Sequence, residues 1–385
     1  MSTLFKNCYL VTPGFEREDM SVLVENTKIS RIFAPGDKLP ENVETKECCN
    51  ALLMPGFVDV HCHGRSGFDF CDGSVEAIST IARNKVAEGV TTLLPTTLTV
   101  SEEQLSKALQ SAADYAKSSD YAKGCRLPGV HLEGPYINSK LIGAQNPAFV
   151  RLPDIEEVKR LNAIYPVRKV SYAPEVEGGA EFASQLLAMG ITPSAVHTNA
   201  TYAEFTFAYD HGLRNLSHFC NQMTALHHRD IGMVGAGLLN SDVYIEFICD
   251  KLHICPDMIS LVFALKDIRH IQLISDAMRA SGMPDGEYDL GGMQTFVKDG
   301  AARLANGALA GSTLQICDAL KNVFEITGFD LCELVRTTSD NQAQTLRLEG
   351  IGRIEPGYCA DMVLLDDNFK VLETYVNGNQ VYSAN

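Results

Sequence analysis

Apolar residues fall into two kinds of pattern along the chain. At the start, "NCYLVT", "SVLVEN" and "KISRIFA" are short β-prone runs separated by turn residues, and "DMVLLDD" and "VLETYVNGNQVY" repeat that pattern at the other end. Runs at opposite ends of a chain can pair, which predicts a small β-sandwich domain from residues 1–52 and 353–385 around a central insert, 53–352. Within the insert, strand-like apolar runs alternate with stretches of helical period such as Val75 to Glu88 and Glu102 to Lys117. The candidate strands are "FVDVHCH", "TTLLPTT", "PGVHLEG", "KVSYAPE", "ITPSAVHT", "NLSHFCN", "VYIEFICD" and "IQLISDA". Eight βα units in roughly 300 residues predict an α/β fold, a closed (β/α)₈ TIM-type barrel with its active site at the C-terminal ends of the strands. An open doubly wound sheet is the alternative, but no Gly-x-Gly-x-x-Gly follows the first strand.

Bulk properties narrow the partners more than the fold. The 385 residues suit one large barrel with an accessory domain, and 45% hydrophobic with 21% charged residues is ordinary for a globular chain. A net charge of −16 opposes nucleic acid and acidic membrane as general partners, so an anionic substrate needs a local basic cluster. The N-terminal stretch lacks the features of a signal peptide and no apolar run approaches bilayer length, which predicts a cytoplasmic protein. Twelve cysteines without a Cys-x-x-Cys pair read as reduced, mostly buried thiols.

Polar residues interrupt the apolar runs at one consistent place. His61 and His63 end the first predicted strand, on one face because their spacing is two, and Glu133 ends the third. His197 falls at the end of the fifth, His218 of the sixth and Asp276 of the eighth. Taken singly, each histidine reads as a core residue satisfied by a neighbour, and Asp276 as a helix cap. In a barrel all six converge on one rim, where nitrogen and carboxylate ligands around an open position suit Zn²⁺ or a similar divalent cation. Asp276 is then placed as general base, and His131, two residues before Glu133, as a packing residue deeper in the barrel.

The ordered set "MPGFVDVHCHG", "GVHLEGPYIN", "AVHTNAT", "NLSHFCNQMTALHHRD", "ISDAMRASGMPDGEYDLGG", "GALAGSTLQ" and "GRIEPGYCADMVLLD" resembles the amidohydrolase superfamily, and within it the N-acetylglucosamine-6-phosphate deacetylase family. The resemblance spans nearly the whole chain. It implies a metal-dependent deacetylase, usually a homodimer, with Glu133, His197 and His218 as the principal metal site and Asp276 as the catalytic acid/base. His61 and His63, which some family members have lost, would make the site binuclear; zinc is the implied metal, with iron, manganese or cobalt as alternatives.

Other superfamily branches carry a carboxylated lysine at the end of strand four. Here Lys169 begins that strand, and Glu133 would take the bridging role. The resemblance further assigns the phosphate to Arg229, flanked by His227 and His228, and to His253. An arginine there can bind phosphate through two parallel hydrogen bonds, though taken alone Arg229 would pair with Asp230 or another acid. By the same matching Ala144, Gln145, Asn221, Gln222 and the Leu309, Ala310, Gly311 turn would contact sugar or acyl group, with some phosphate contacts from a neighbouring subunit. Gln145 stands where the family has histidine, Gln222 where alanine is usual, and Lys251 where glycine is common. These departures leave a related substrate open, such as N-acetylgalactosamine 6-phosphate or another small amide. A non-catalytic scaffold is the third reading, and the full set of ligands weighs against it.

Overall fold

The computed structural model describes residues 2–384. Eight parallel strands run Phe57–Cys62, Val90–Thr97, Val130–Glu133, Val167–Tyr172, Thr192–Ala195, Asn215–Leu216, Tyr244–Phe247 and Ile271–Leu273, hydrogen-bonded side by side in chain order. The last joins the first beyond the strand ends, where Asp276 N donates to His61 O at 2.8 Å and His63 N to Ala277 O at 2.8 Å. This is the (β/α)₈ barrel that the eight runs predict, and each run overlaps one strand. Strands covered on both faces are buried along their whole length, and all eight residues of Val90–Thr97 are buried, its four threonines included.

Helices begin where the sequence supplies a cap. Ser74 Oγ accepts from Ala77 N ahead of Val75–Lys85, and a Ser101–Gln104 capping box opens Glu102–Ala116. The first of these ends earlier than its apolar period suggests, because Val86–Glu88 tightens into a 3₁₀ turn that stops at Gly89, φ 81°. A Cβ on Gly89 would lie 2.8 Å from Val363 Cγ2, so only glycine lets the terminal sheet approach there.

That sheet is built from both ends of the chain. Its order is Asn379–Ser383, Val371–Val376, Met362–Leu365, Leu52–Pro55, Ser2–Thr12, Phe15–Glu25, Lys28–Phe33, with Glu44–Glu47 also on Ser2–Thr12. Leu52–Pro55 is the join, parallel to Tyr9–Leu10 on one side and antiparallel to Met362–Leu365 on the other. Phe5, Leu10, Val22, Leu53, Met362 and Tyr375 form a core of its own.

A further small sheet was not foreseen. Gly286–Leu290, Met293–Lys298 and Ala301–Leu304 form two hairpins between the eighth barrel strand and the helix Ile316–Thr327. The signal was present in Gly291–Gly292 and Asp299–Gly300, two-residue turns whose φ values are all positive. Among the described residues no helix is long and apolar enough to cross a membrane.

Candidate active site

His61 lies within the first barrel strand, His63 one residue past it, and Glu133 closes the third. His197, His218 and Asp276 sit two or three residues beyond the ends of strands five, six and eight. Each of these three has left-handed backbone, φ 42°, 30° and 48°. For a residue with a Cβ that conformation costs on the order of 1 kcal/mol or more and persists where the surroundings impose it. The effect is to turn each side chain inward over the barrel mouth.

The six side chains meet. His218 Nε2 is 3.0 Å, His61 Nε2 3.4 Å and His197 Nε2 3.6 Å from Glu133 Oε1. His63 Nε2 is 3.3 Å from Glu133 Oε2 and 3.2 Å from Asp276 Oδ1, which is also 3.5 Å from His61 Nε2. The ligand atoms form two triplets that share one carboxylate: His61, His63, Glu133 and Glu133, His197, His218.

The opposite ring nitrogens are all engaged. Nδ1 of His63, His197 and His218 faces the carbonyls of Thr96 (3.2 Å), Leu141 (2.8 Å) and Asn221 (3.2 Å), and Nδ1 of His61 faces Glu246 Oε2 (3.1 Å). Acceptors at Nδ1 place the imidazole proton there and leave the lone pair on Nε2. Lone pairs aimed at carboxylate oxygens repel unless positive charge lies between them, and His61 Nε2 has no hydrogen-bond partner at all. The electrostatics of the cluster point the same way. Burial pushes His63 down, but Asp276 and Glu133 outweigh it and draw the imidazole well above its ordinary value. Burial pushes Glu133 up, and the histidines around it hold it well below the usual carboxylate range. The donor set therefore fits a divalent cation.

A cavity opens onto this cluster. His63, Glu133, His197, His218 and Asp276 form its floor, and Ala144, Gln145, Asn221, Gln222, His253, Leu309 and Gly311 its walls, with Leu98, Gly143, Leu290 and Ala308. Leu290 and Ala308 come from the unforeseen hairpins and the turn after them. Three of the residues singled out in the sequence do not line it. His61 is buried beneath the floor and Ala310 is fully buried behind the wall, while Arg229 is exposed. Arg229 Nη1 lies 2.8 Å from His228 Nε2, and Asp230 is occupied in accepting from Tyr202 N and Gly232 N.

The model of the amidohydrolase family matches residues 52–381. The chain belongs to the amidohydrolase family. It is 34% identical over 381 residues to the N-acetylglucosamine-6-phosphate deacetylase of Lysinibacillus sphaericus, covering 98% of this chain and 97% of that one. It is 35% identical over 350 residues to the N-acetylgalactosamine-6-phosphate deacetylase of Escherichia coli O157:H7, covering 90% and 92%. Among solved structures, the Mycobacterium smegmatis N-acetyl-D-glucosamine-6-phosphate deacetylase, an aspartate-to-alanine mutant in complex with N-acetyl-D-glucosamine 6-phosphate, superposes with a TM-score of 0.92 at 27% identity, covering 99% of this chain and all of that one.

In this amidohydrolase several residues around the cluster act by holding others. Gln145 is held at both ends of its carboxamide: Oε1 accepts from Thr99 N at 2.7 Å, and Nε2 donates to Glu133 Oε2 at 2.5 Å. It therefore steadies Glu133 while lining the cavity. Glu175, at the end of the run "YAPE", accepts from Asn138 Nδ2, Thr198 Oγ1 and Asn199 N, so three loops around His197 are tied to one carboxylate. His131 donates or accepts with Ser171 Oγ at 2.7 Å and Thr96 Oγ1 at 3.2 Å; burial and the charge of Lys169 hold it well below the ordinary histidine value, so it is neutral. Lys169 lies below the cluster and pairs with Glu246, which leaves Glu133 as the carboxylate common to both triplets. The sequence reading missed Glu246. Its signal was a lone carboxylate inside the apolar run "VYIEFICD".

Proposed function

We propose that this amidohydrolase is a metal-dependent deacetylase that hydrolyses the acetamide of N-acetylglucosamine 6-phosphate to glucosamine 6-phosphate and acetate. The observation that carries the reading is that one cavity opens onto members of both His/Glu triplets and a separate carboxylate, Asp276, in a chain matching such deacetylases along nearly its whole length. His61, His63, Glu133, His197 and His218 would hold one or two divalent cations; imidazole with carboxylate favours zinc, with iron, manganese or cobalt as alternatives. Bound there, such a cation polarises the acetyl carbonyl and makes water acidic enough to attack at neutral pH.

Asp276 moves the proton. It takes one from the attacking water as the bond from water oxygen to carbonyl carbon forms, and returns it to the amide nitrogen as the carbon–nitrogen bond breaks. Its position on the cavity floor, with Oδ1 3.2 Å from His63 Nε2, supports that role. Ala144, Asn221, Gln222, Leu309 and Gly311 shape the wall for sugar and acyl group, and Ala310 supports that turn from behind. His253, its Nδ1 2.7 Å from Asp250 Oδ2, is fixed to receive the phosphate. Arg229 faces solvent in its own chain, so in a homodimer it serves the phosphate of the second copy. A phosphorylated substrate, which does not cross a bilayer unaided, favours a cytoplasmic enzyme.

Acetate release from a panel of phosphorylated and unphosphorylated N-acetyl sugars tests the reading, with metal content measured on the same preparation. Fast release from N-acetylglucosamine 6-phosphate is expected; no release from any phosphorylated sugar would sink it. Mixing Asp276→Asn chains with Arg229→Ala chains tests the homodimer, because one site in each mixed pair is then complete. Activity no greater than the sum of the two variants would rule out Arg229 acting across subunits. A second reading, N-acetylgalactosamine 6-phosphate as preferred substrate, draws on Gln145 and Gln222 in the cavity and on the Escherichia coli relative. Turnover of the two epimers decides between them.

A further inference from the structure

The four imidazoles of the cluster are not held alike. His63, His197 and His218 turn Nδ1 to main-chain carbonyls, whereas His61 turns it to the side chain of Glu246. His61 is on the first barrel strand, Glu246 on the seventh and Lys169 on the fourth, so the three reach one another across the barrel interior. They are 0%, 2% and 2% exposed. Glu246 Oε2 lies 3.1 Å from His61 Nδ1, and its other oxygen is paired with Lys169 Nζ.

We propose that Glu246, neutralised by Lys169, is a positioning residue that fixes the His61 tautomer and ring orientation so that the His61–His63–Glu133 half of the centre takes up its own divalent cation. The inference rests on the two-cation form of the reading above. A carboxylate has no proton to donate, so the single proton of a neutral imidazole must sit on Nδ1 and leave Nε2 free. Main-chain carbonyls do the same for the other three rings, but all of those carbonyls lie at strand ends or in loops. His61 lies inside the ring of strands, where carbonyls are spent on neighbouring strands, and only a side chain can reach its Nδ1.

A charge in that position needs an answer. A lone buried carboxylate is unfavourable, and pairing with Lys169 offsets that. Nothing else nearby competes for it, because the His131 ring, 4.6 Å from that of His61, is satisfied by Ser171 and Thr96. A buried ion pair alone carries no function. The third contact, to a cluster histidine whose far nitrogen is unpartnered, distinguishes this one.

Co²⁺ titration of the stripped full-length chain, followed by visible absorption and checked by elemental analysis, tests the inference. Lys169→Met/Glu246→Leu removes both charges together, which buried pairs tolerate, and Lys169→Met/Glu246→Gln keeps a neutral acceptor. The parent is expected to bind two Co²⁺. The Met/Leu variant should keep one and bind the other at least about tenfold more weakly, and the Met/Gln variant should recover most of that loss. Two Co²⁺ at parental affinity in the Met/Leu variant would overturn the inference and leave the proposed reaction standing. So would equal losses in the two variants, since packing and not an acceptor would then be at work. A parent chain that takes only one Co²⁺ overturns the inference together with the two-cation reading. If the Met/Leu variant does not fold, Glu246→Gln decides, because His61 and Lys169 then compete for one amide oxygen. Loss of one Co²⁺ supports the inference, and parental binding overturns it.

Discussion

His61 and His63 stand on, or one residue past, a β-strand, while His197 and His218 each lie two residues beyond a strand on left-handed backbone. The first pair is aimed by strand pleat, and its spacing alone puts both rings on one face. The second pair is aimed by loops that must be held in a disfavoured conformation, through Glu175, Leu141 and Asn221. One half of the centre is thus set by periodicity and the other by tertiary restraint. The two should fail in different ways.

The largest effect should come from Glu133, which both halves share. Glu133→Gln is expected to strip cations from both and take acetate release to background; one retained cation in elemental analysis would show that the halves assemble independently. Asp276→Asn should lower turnover by about 10²–10⁴-fold with cation content unchanged, the usual loss when a positioned acid/base is removed. Near-normal turnover would take Asp276 out of the proton transfer. His197→Asn and His61→Asn should each cost one cation, with the larger fall in turnover for His197→Asn. A larger fall for His61→Asn would reverse the ranking of the halves.

The smallest effect should be the most selective. Gly143 has φ 56°, and a Cβ there would sit 3.0 Å from His197 Cε1 and 3.1 Å from Gln222 Cγ. Gly143→Ala should destabilise by about 1–2 kcal/mol and weaken cation binding in the loop half alone. Equal weakening of both halves in a Co²⁺ titration would show that the loop half has no restraint of its own.

The same contrast explains what could be read from the sequence. The barrel was legible because its strands are apolar runs between helical periods, and "HCH" was legible because spacing fixes facing. His197, His218 and Asp276 were placed at strand ends only through the count of eight; their left-handed backbone has no local signature, since none is itself the glycine that usually marks that conformation. Arg229 was assigned by likeness and lies outside its own chain's cavity. Likeness assigns Gln145 a substrate contact, and nothing in "GAQ" indicates that its carboxamide also bonds Thr99 and Glu133. Glu246 was overlooked because one acid in an apolar run is weak evidence until its neighbours are known.

Leu52–Pro55 lies between strands drawn from the two ends of the chain, and the strand carrying His61 begins two residues later. Leu53 pairs with Leu364, so during synthesis one flank of that strand stays bare until Met362–Leu365 has left the ribosome. A message cut short before Met362 would yield a chain with most of its barrel and an exposed, sticky apolar edge, a product more apt to aggregate than to fold.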